Sequence, residues 1–200
     1  MIARAALAER LRQAPTTEGL MTRDEVVRQR SIGGAQVLTP AAVLLLIINH
    51  GHGPSVLLTR RANTLADHAG QISFPGGRAE PGDASLADAA LREAKEEVGL
   101  DRGRVEVVGE LPEYLTSSGY RVQPIVGWAE PPIAYAPDTS EVSEVFEVPL
   151  AFLLDPRNHR LEKTYYRGQP RQFWAMPWEG RYIWGATAGM LVTFQRIVAP

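Results

Sequence analysis

Three carboxylates crowd the run Arg92-Glu93-Ala94-Lys95-Glu96-Glu97-Val98-Gly99-Leu100. On a helix, Glu93, Glu96 and Glu97 take positions i, i+3 and i+4, so they share one side of the cylinder. Like charges at that spacing repel and slightly weaken a bare helix. A divalent cation among them makes the arrangement reasonable, because hard cations such as Mg²⁺ take oxygen ligands. The opposite side is apolar: Ala87, Ala90, Leu91, Ala94 and Val98 follow the helical period. The pattern predicts a helix that rests on a core along one side and presents acid on the other. Gly99 suits the position that ends it. A solvated charged face would carry the same acids. The Phe74-Pro75-Gly76-Gly77 turn a short distance upstream tips the balance toward chemistry.

Together the two segments resemble the Nudix box, G-x5-E-x7-R-E-U-x-E-E-x-G-U, with U a bulky apolar residue. Arg92, Glu93, Glu96, Glu97, Gly99 and Leu100 stand where the pattern wants them, and Ala94 is a small residue at the first U. The first half departs. Counted from Gly77, the expected Glu falls on Asp83 and Arg92 comes one residue late. Counted back from Arg92, Ala84 takes the Glu position and Arg78 the Gly position. The loop is therefore one residue longer than the standard box, with Asp83 in place of its Glu. Lengthening a loop costs little, whereas an insertion in the helix would rotate the acids off their face. The extension is accordingly placed before Ala84.

Leu57-Leu58-Thr59-Arg60-Arg61 leads into Leu65-Ala66-Asp67-His68-Ala69-Gly70-Gln71-Ile72-Ser73-Phe74-Pro75-Gly76-Gly77. This stretch is similar to the signature L-L-T-x-R-…-L-x-x-H-x-G-Q-x-x-F-P-G-G of the coenzyme A pyrophosphatase branch of the family. The similarity continues through residues 140–150 and 183–188, covering about residues 40 to 195. It implies an α/β fold with a mixed β-sheet sandwiched between α-helices. It also implies metal-dependent hydrolysis of the coenzyme A diphosphate to 3′,5′-ADP and 4′-phosphopantetheine, with Mg²⁺ or Mn²⁺ as cofactor. The same acids would serve ADP-ribose, dinucleotides or nucleoside triphosphates. A non-catalytic Nudix-like binding domain is disfavoured, because such a module has no need of all three glutamates.

The resemblance assigns Glu93 and Glu97 as the principal metal ligands. Glu96 becomes a further ligand or water-orienting base, and the Gly77 carbonyl an additional oxygen. Arg92 either holds Glu93 or another carboxylate in place, by analogy with the outer partners that orient metal ligands, or touches substrate phosphate. Arg60 and Arg61, with Gly76 and Gly77, form the expected substrate-binding set. His68 reads as a turn residue rather than a catalyst. Glu141 and Glu144 follow a loop where several members of the family supply an extra base or ligand, and Glu144 is the candidate catalytic residue there. An edge strand with outward acids is the competing reading.

The whole chain sets the frame. Two hundred residues with 44% hydrophobic content can bury one good core. The 21 basic residues nearly balance the 23 acidic ones, which argues against a nucleic-acid or membrane-surface partner, while the resemblance implies a small-molecule substrate. A homodimer is left open. There is no cysteine, so disulfides, thiolate metal sites and a cysteine nucleophile are excluded, and a reducing cytoplasm fits. The apolar run Ala41 to Ile48 is far too short to span a bilayer and reads as a buried strand. The Ala- and Arg-rich start is interrupted by Glu9 and Glu18 with no apolar h-region, so it reads as an amphipathic docking helix over residues 2 to 13.

The expected organisation is a helical extension over 1–36 packed on a domain over 37–200, with Gly33-Gly34 as the break. Strands are expected at Ala41–Asn49, Ser55–Arg60, Val105–Leu111, Tyr120–Ala129 and Val142–Val148. A short helix follows at Leu150–Leu154, then a hairpin around Leu161–Trp174 broken near Gly168, then a closing helix at Gly185–Val198. Asp83 or Ser85 is placed to cap the acidic helix.

Overall fold

The computed structural model describes residues 3–14, 38–64, 68–166 and 169–199. The expected Gly33-Gly34 break, Glu18, the Leu65-Ala66-Asp67 part of the signature and the break at Gly168 lie outside those residues. The described elements begin with α1 (Arg4–Arg12), β1 (Thr39–His50) and β2 (Gly53–Arg61). The strands β1 and β2 form an antiparallel hairpin, with Ile47 opposite Val56. Beyond that register the two strands part, and the chain returns to fill the fork. β3 (Ile72–Ser73) pairs with β2, and β4 (Gly76–Arg78) pairs with β1, so that Val43 faces Gly76. At the crossing, Leu44 N–H donates to the Pro75 carbonyl at 2.8 Å. This wedge is the signature segment seen in the sequence.

The acidic helix α2 (Leu86–Val98) comes next, then β5 (Glu106–Glu110), β6 (Tyr114–Leu115) and β7 (Tyr120–Ala129). β7 runs parallel to β1 from Thr39↔Tyr120 to Ile48↔Ala129, which makes the sheet mixed. β5 and β6 both pair with β7, and β8 (Val142–Pro149) pairs antiparallel with β2. The chain closes with α3 (Leu150–Leu154), a three-stranded sheet of β9 (Arg160–Tyr166), β10 (Gln169–Trp178) and β11 (Arg181–Trp184), and α4 (Gly185–Val198). No helix among the described residues is long and apolar enough to cross a membrane.

The mixed sheet is covered on both faces, so β1 reads as a continuous apolar run rather than an alternating one. Leu44, Leu46, Ile48 and Leu57 face the α2 side with Ala89, Ala90, Leu91, Ala94 and Val98. Leu45, Ile47, Val56, Leu58, Phe146 and Val148 face the other side, with Met176 and Phe194 from the closing elements. Burying each large aliphatic of β1 contributes about 1.5–3 kcal/mol. α1 adds Leu7 and Leu11 to that second core, where Leu11 lies against Gly109.

Ser85, not Asp83, caps α2: its Oγ accepts from the Asp88 N–H at 3.1 Å. Gly99, at φ 69, turns left-handed and closes the other end, donating to Lys95 O at 2.9 Å. The Ser85 cap touches no acid of the candidate site, so Ser85→Ala is expected to cost about 1 kcal/mol of stability. The denaturant midpoint should fall while turnover stays at the wild-type rate; a variant as stable as wild type would show that the cap contributes nothing.

Candidate active site

Two elements meet to form the acid cluster: α2 and the wedge that fills the fork between β1 and β2. Arg92, at the middle of α2, is the hub. Its Nε and Nη2 donate to the two Asp83 carboxylate oxygens at 3.0 and 3.2 Å, and Nη2 also donates to Arg78 O at 3.0 Å. Its Nη1 donates to Glu93 Oε1 at 3.0 Å and to Glu96 Oε2 at 2.9 Å. The planar fork of an arginine has five N–H donors, and these contacts engage them all. Asp83 beside it holds the Arg92 pKa well above the ordinary range, with Glu93 and Glu96 adding to the effect. The loop ahead of α2 thus supplies a carboxylate, Asp83, that binds Arg92 bidentately. Asp83 also accepts from Glu80 N–H at 2.8 Å, and with the Arg92 bond this keeps its pKa below the usual carboxylate value.

Glu93 and Glu97 point beneath β4. The Gly76 N–H donates to Glu97 Oε2 at 3.1 Å. The bonds Leu44 N–Pro75 O and Ala79 N–Pro40 O make Ala42 and Gly77 a hydrogen-bonded pair, which leaves the Gly76 N–H turned away from β1 toward α2. Gly77 lies directly against Glu93: a Cβ there would stand 2.5 Å from Glu93 Oε1. Gly76 has φ 155, and a Cβ on it would meet Ala42 O at 2.4 Å. Buried Thr187 on α4 donates to Ile72 O at 3.0 Å and pins the wedge from the far side of the sheet.

The competing reading of a solvated charged face fails for Glu97, which is 5% exposed because β4 covers it. Burial pushes its pKa up to about 7, and the charges of Glu93 and Glu141 add to the shift against the Gly76 bond and Arg61. Burial also raises Glu93, with Glu96 and Glu141 contributing and Arg92 opposing. Glu96 is mostly exposed.

This donor set fits a hard divalent cation. Two glutamates lie in one cleft, and both stay shifted upward despite the arginines beside them. Among the described residues, no three His, Cys, Asp or Glu side chains already converge into a cage. Mg²⁺ needs none, since it keeps several waters and takes one or two carboxylates together with substrate phosphates. A shallow concavity of about 410 Å³, lined by Leu91, Arg92, Lys95, Glu96 and Arg102, adjoins the cluster on the outer side of α2.

The structure does not bring Glu144 or Arg60 to these acids. Glu144 alternates with Phe146 and Val148, so it lies on the sheet face away from α2. There it is gripped by Arg60 Nε at 2.9 Å and Arg181 Nε at 3.0 Å, with Arg181 stacked 4.5 Å from the Phe146 ring centre. Burial alone would raise Glu144, but the two arginines outweigh it and hold the carboxyl low. The catalytic expectation for Glu144 is therefore corrected. The acid of that segment that acts on the cluster is Glu141, through its charge on Glu93 and Glu97. Arg181 carried no sequence signal, because it reaches Glu144 from a hairpin 37 residues away. Arg61 does reach the cluster, with Nη1 3.7 Å from Glu97 Oε1. His68 is a turn residue at φ 59, with its Nδ1 2.9 Å from Gln71 Oε1.

A model of the NUDIX domain matches residues 38–167. An uncharacterized Nudix hydrolase of Citrobacter koseri, NudL, is 38% identical over 176 residues, which is 88% of this chain and 91% of that one. NudL of Escherichia coli O1:K1 is 43% identical over 151 residues, 76% of this chain and 78% of that one. Among solved structures, a C. elegans Ap4A hydrolase complex aligns at a TM-score of 0.48 and 19% identity over 56% of this chain and 80% of that one, a likeness too slight to carry an argument. The domain match runs from the first strand of the mixed sheet through the wedge and the acidic helix to β9, and the chain belongs to the Nudix hydrolase family, whose members cleave diphosphate linkages with the help of divalent cations.

Proposed function

We propose that this Nudix hydrolase cleaves the diphosphate of coenzyme A, and of its acyl thioesters, to 3′,5′-ADP and 4′-phosphopantetheine, with Mg²⁺ or Mn²⁺. The observation that carries the reading is the wedge: the glycines that end the signature, Gly76 and Gly77, lie against Glu97 and Glu93. A specificity signature that ends there is placed beside whatever the acids process.

Glu93 and Glu97 are the residues that would hold the cation; the Gly77 carbonyl expected to join them is turned toward β1 in the Ala42–Gly77 pair. When bound, the ion neutralises diphosphate charge and acidifies a coordinated water. Gly76 N–H keeps one Glu97 oxygen fixed and leaves the other free to bind. Arg92 is a positioning residue: its donors are engaged by Asp83, Glu93, Glu96 and Arg78 O, so it aims the carboxylates instead of touching phosphate. Glu96 and Glu141 both act electrostatically on Glu93 and are the acids available to orient water. Arg60, engaged by Glu144, has no part in the diphosphate step.

The test is a panel of coenzyme A, acetyl-coenzyme A, dephospho-coenzyme A, ADP-ribose, NADH and dNTPs assayed with each ion. Coenzyme A or its thioester is expected to give the highest kcat/KM, with 3′,5′-ADP among the products. ADP-ribose as the better substrate with both ions would remove the coenzyme A reading and leave the family chemistry standing.

A further inference from the structure

Two arginines beside the cluster differ sharply in how their donors are used. Arg92 has all five engaged. Arg61 has its Nε buried without a partner, and its Nη1 stands 3.7 Å from Glu97 Oε1, beyond hydrogen-bond range. Among the described residues, no oxygen accepts a hydrogen bond from this guanidinium. A buried unsatisfied donor costs about 1–3 kcal/mol, and more when charged, so an unengaged fork at a cluster of acids needs an explanation. The backbone around it is fully engaged: Arg61 N–H donates to Gln71 O at 2.9 Å, and its carbonyl accepts from Gly70 N–H at 3.2 Å. The side chain is thus carried on a fixed strand end beside the wedge while its donors remain free.

We propose that Arg61 is a transferable counter-ion: it balances Glu97 in the metal-free protein and passes to a phosphoryl oxygen of the substrate diphosphate when Glu97 is taken by the cation. This rests on the site reading above, in which Glu97 is a ligand. A guanidinium matches a phosphate with two parallel N–H donors, and Nε with one Nη is the pair that Arg61 has free. The 3.7 Å separation gives Glu97 charge compensation without a bond that would have to be broken. The same geometry has two opposite consequences. Arg61 competes with the cation for Glu97, and it binds the substrate that the cation accompanies.

The experiment therefore measures two affinities in Arg61→Ala and Arg61→Lys. The first is Mg²⁺ binding to the protein alone, by calorimetry at about pH 8.5, where proton competition at a carboxylate is small. The second is binding of α,β-methylene-ADP, a non-hydrolysable diphosphate, at saturating Mg²⁺. In Arg61→Ala, Mg²⁺ is expected to bind at least about fivefold tighter, because a like charge close to the ligand has gone. The analogue is expected to bind about tenfold or more weaker, because a charged hydrogen-bonding partner has gone. Arg61→Lys should keep the wild-type metal affinity, since the charge is retained, and lose part of the analogue affinity, since the fork is lost.

Opposite signs are the diagnosis, and misfolding would weaken both. Unchanged or weaker Mg²⁺ binding in a variant that melts like wild type would overturn the counter-ion role. Unchanged analogue binding would overturn the transfer. Glu97→Gln separates this inference from the reading beneath it. If Glu97→Gln keeps its Mg²⁺ affinity, the ligand assignment fails and the transfer falls with it. If it loses Mg²⁺ and Arg61→Ala shows no change, the transfer alone fails.

Discussion

Glu97→Gln is expected to reduce turnover by roughly 10²-fold or more while leaving the protein at least as stable as wild type. The side chain keeps its shape, and its amide oxygen can still accept from the Gly76 N–H that Glu97 Oε2 accepts from at 3.1 Å. What disappears is a charge inside a cleft where burial, together with Glu93 and Glu141, disfavours charge. The sign of the stability change follows from linkage. The folded pKa of about 7 lies above the ordinary 4.5, so this group favours folding below the ordinary value, and the contribution is lost as pH climbs through 7. At about pH 8 in the absence of metal, the Gln variant should therefore gain stability, on the order of 1–3 kcal/mol. Loss of function with gain of stability marks a site strained for its task. Denaturant melts with chelator, paired with turnover at saturating Mg²⁺, measure both. Near-normal turnover would remove Glu97 from the site, and a destabilised variant would show that Arg61 and the Gly76 N–H outweigh the burial of its charge.

The second large effect separates two adjacent glycines. Gly76→Ala is expected to cost about 3 kcal/mol or more, in the range of severe overpacking. The new Cβ would meet Ala42 O at 2.4 Å and Val43 Cα at 2.6 Å, both in β1, and φ 155 is strained for any residue with a side chain. The backbone cannot yield without opening the β1–β4 pair. Gly77→Ala meets Glu93 Oε1 at 2.5 Å and Glu93 Cδ at 2.6 Å, the far end of a side chain that can swing away. That variant should fold and melt near wild type, yet lose about 10²-fold in turnover through a displaced carboxylate. Soluble expression, a melt and an assay distinguish the two. A Gly77→Ala protein of full activity would show that the position of Glu93 is immaterial to the chemistry.

Much of this was legible because local signals were strong. The bounds of β7, α3 and α4 agree with the sequence expectation, since each is marked by an unbroken apolar or periodic run with Pro or Gly at its edge. The sequence offers two residues to cap α2, and the structure selects Ser85 because Asp83 is occupied by Arg92. The two- and three-residue strands β3, β4 and β6 left no trace, being too short for a period to emerge. The parallel partnership of β1 and β7 joins segments some eighty residues apart, which no local pattern encodes. The same limit governed the site. Alternation along β2 places Arg60 and Arg61 on opposite faces, but it does not say which face α2 covers. The register shift between them, where Arg61 pairs with Val142, makes the assignment harder still. Hence the sequence groups Arg60 and Glu144 with the site although they lie across the sheet from its acids. The burial of Glu97 was hidden for a related reason: its cover comes from β4 and not from the helix that carries it.

The forked sheet has a consequence for how the protein tolerates damage. The wedge also saturates the inner edges of two strands, β1 from Pro40 to Leu44 and β2 from Thr59 to Arg61. Pulled out, it would leave the backbone donors and acceptors of β1 and β2 exposed along a β-prone surface, the template on which chains stack into aggregates. Lesions that loosen the wedge should therefore surface first as insolubility, before any kinetic defect can be measured. The stretch between Ala79 and Ser85, outside the ladder, is free to vary in length, which is where this chain has placed its additional residue.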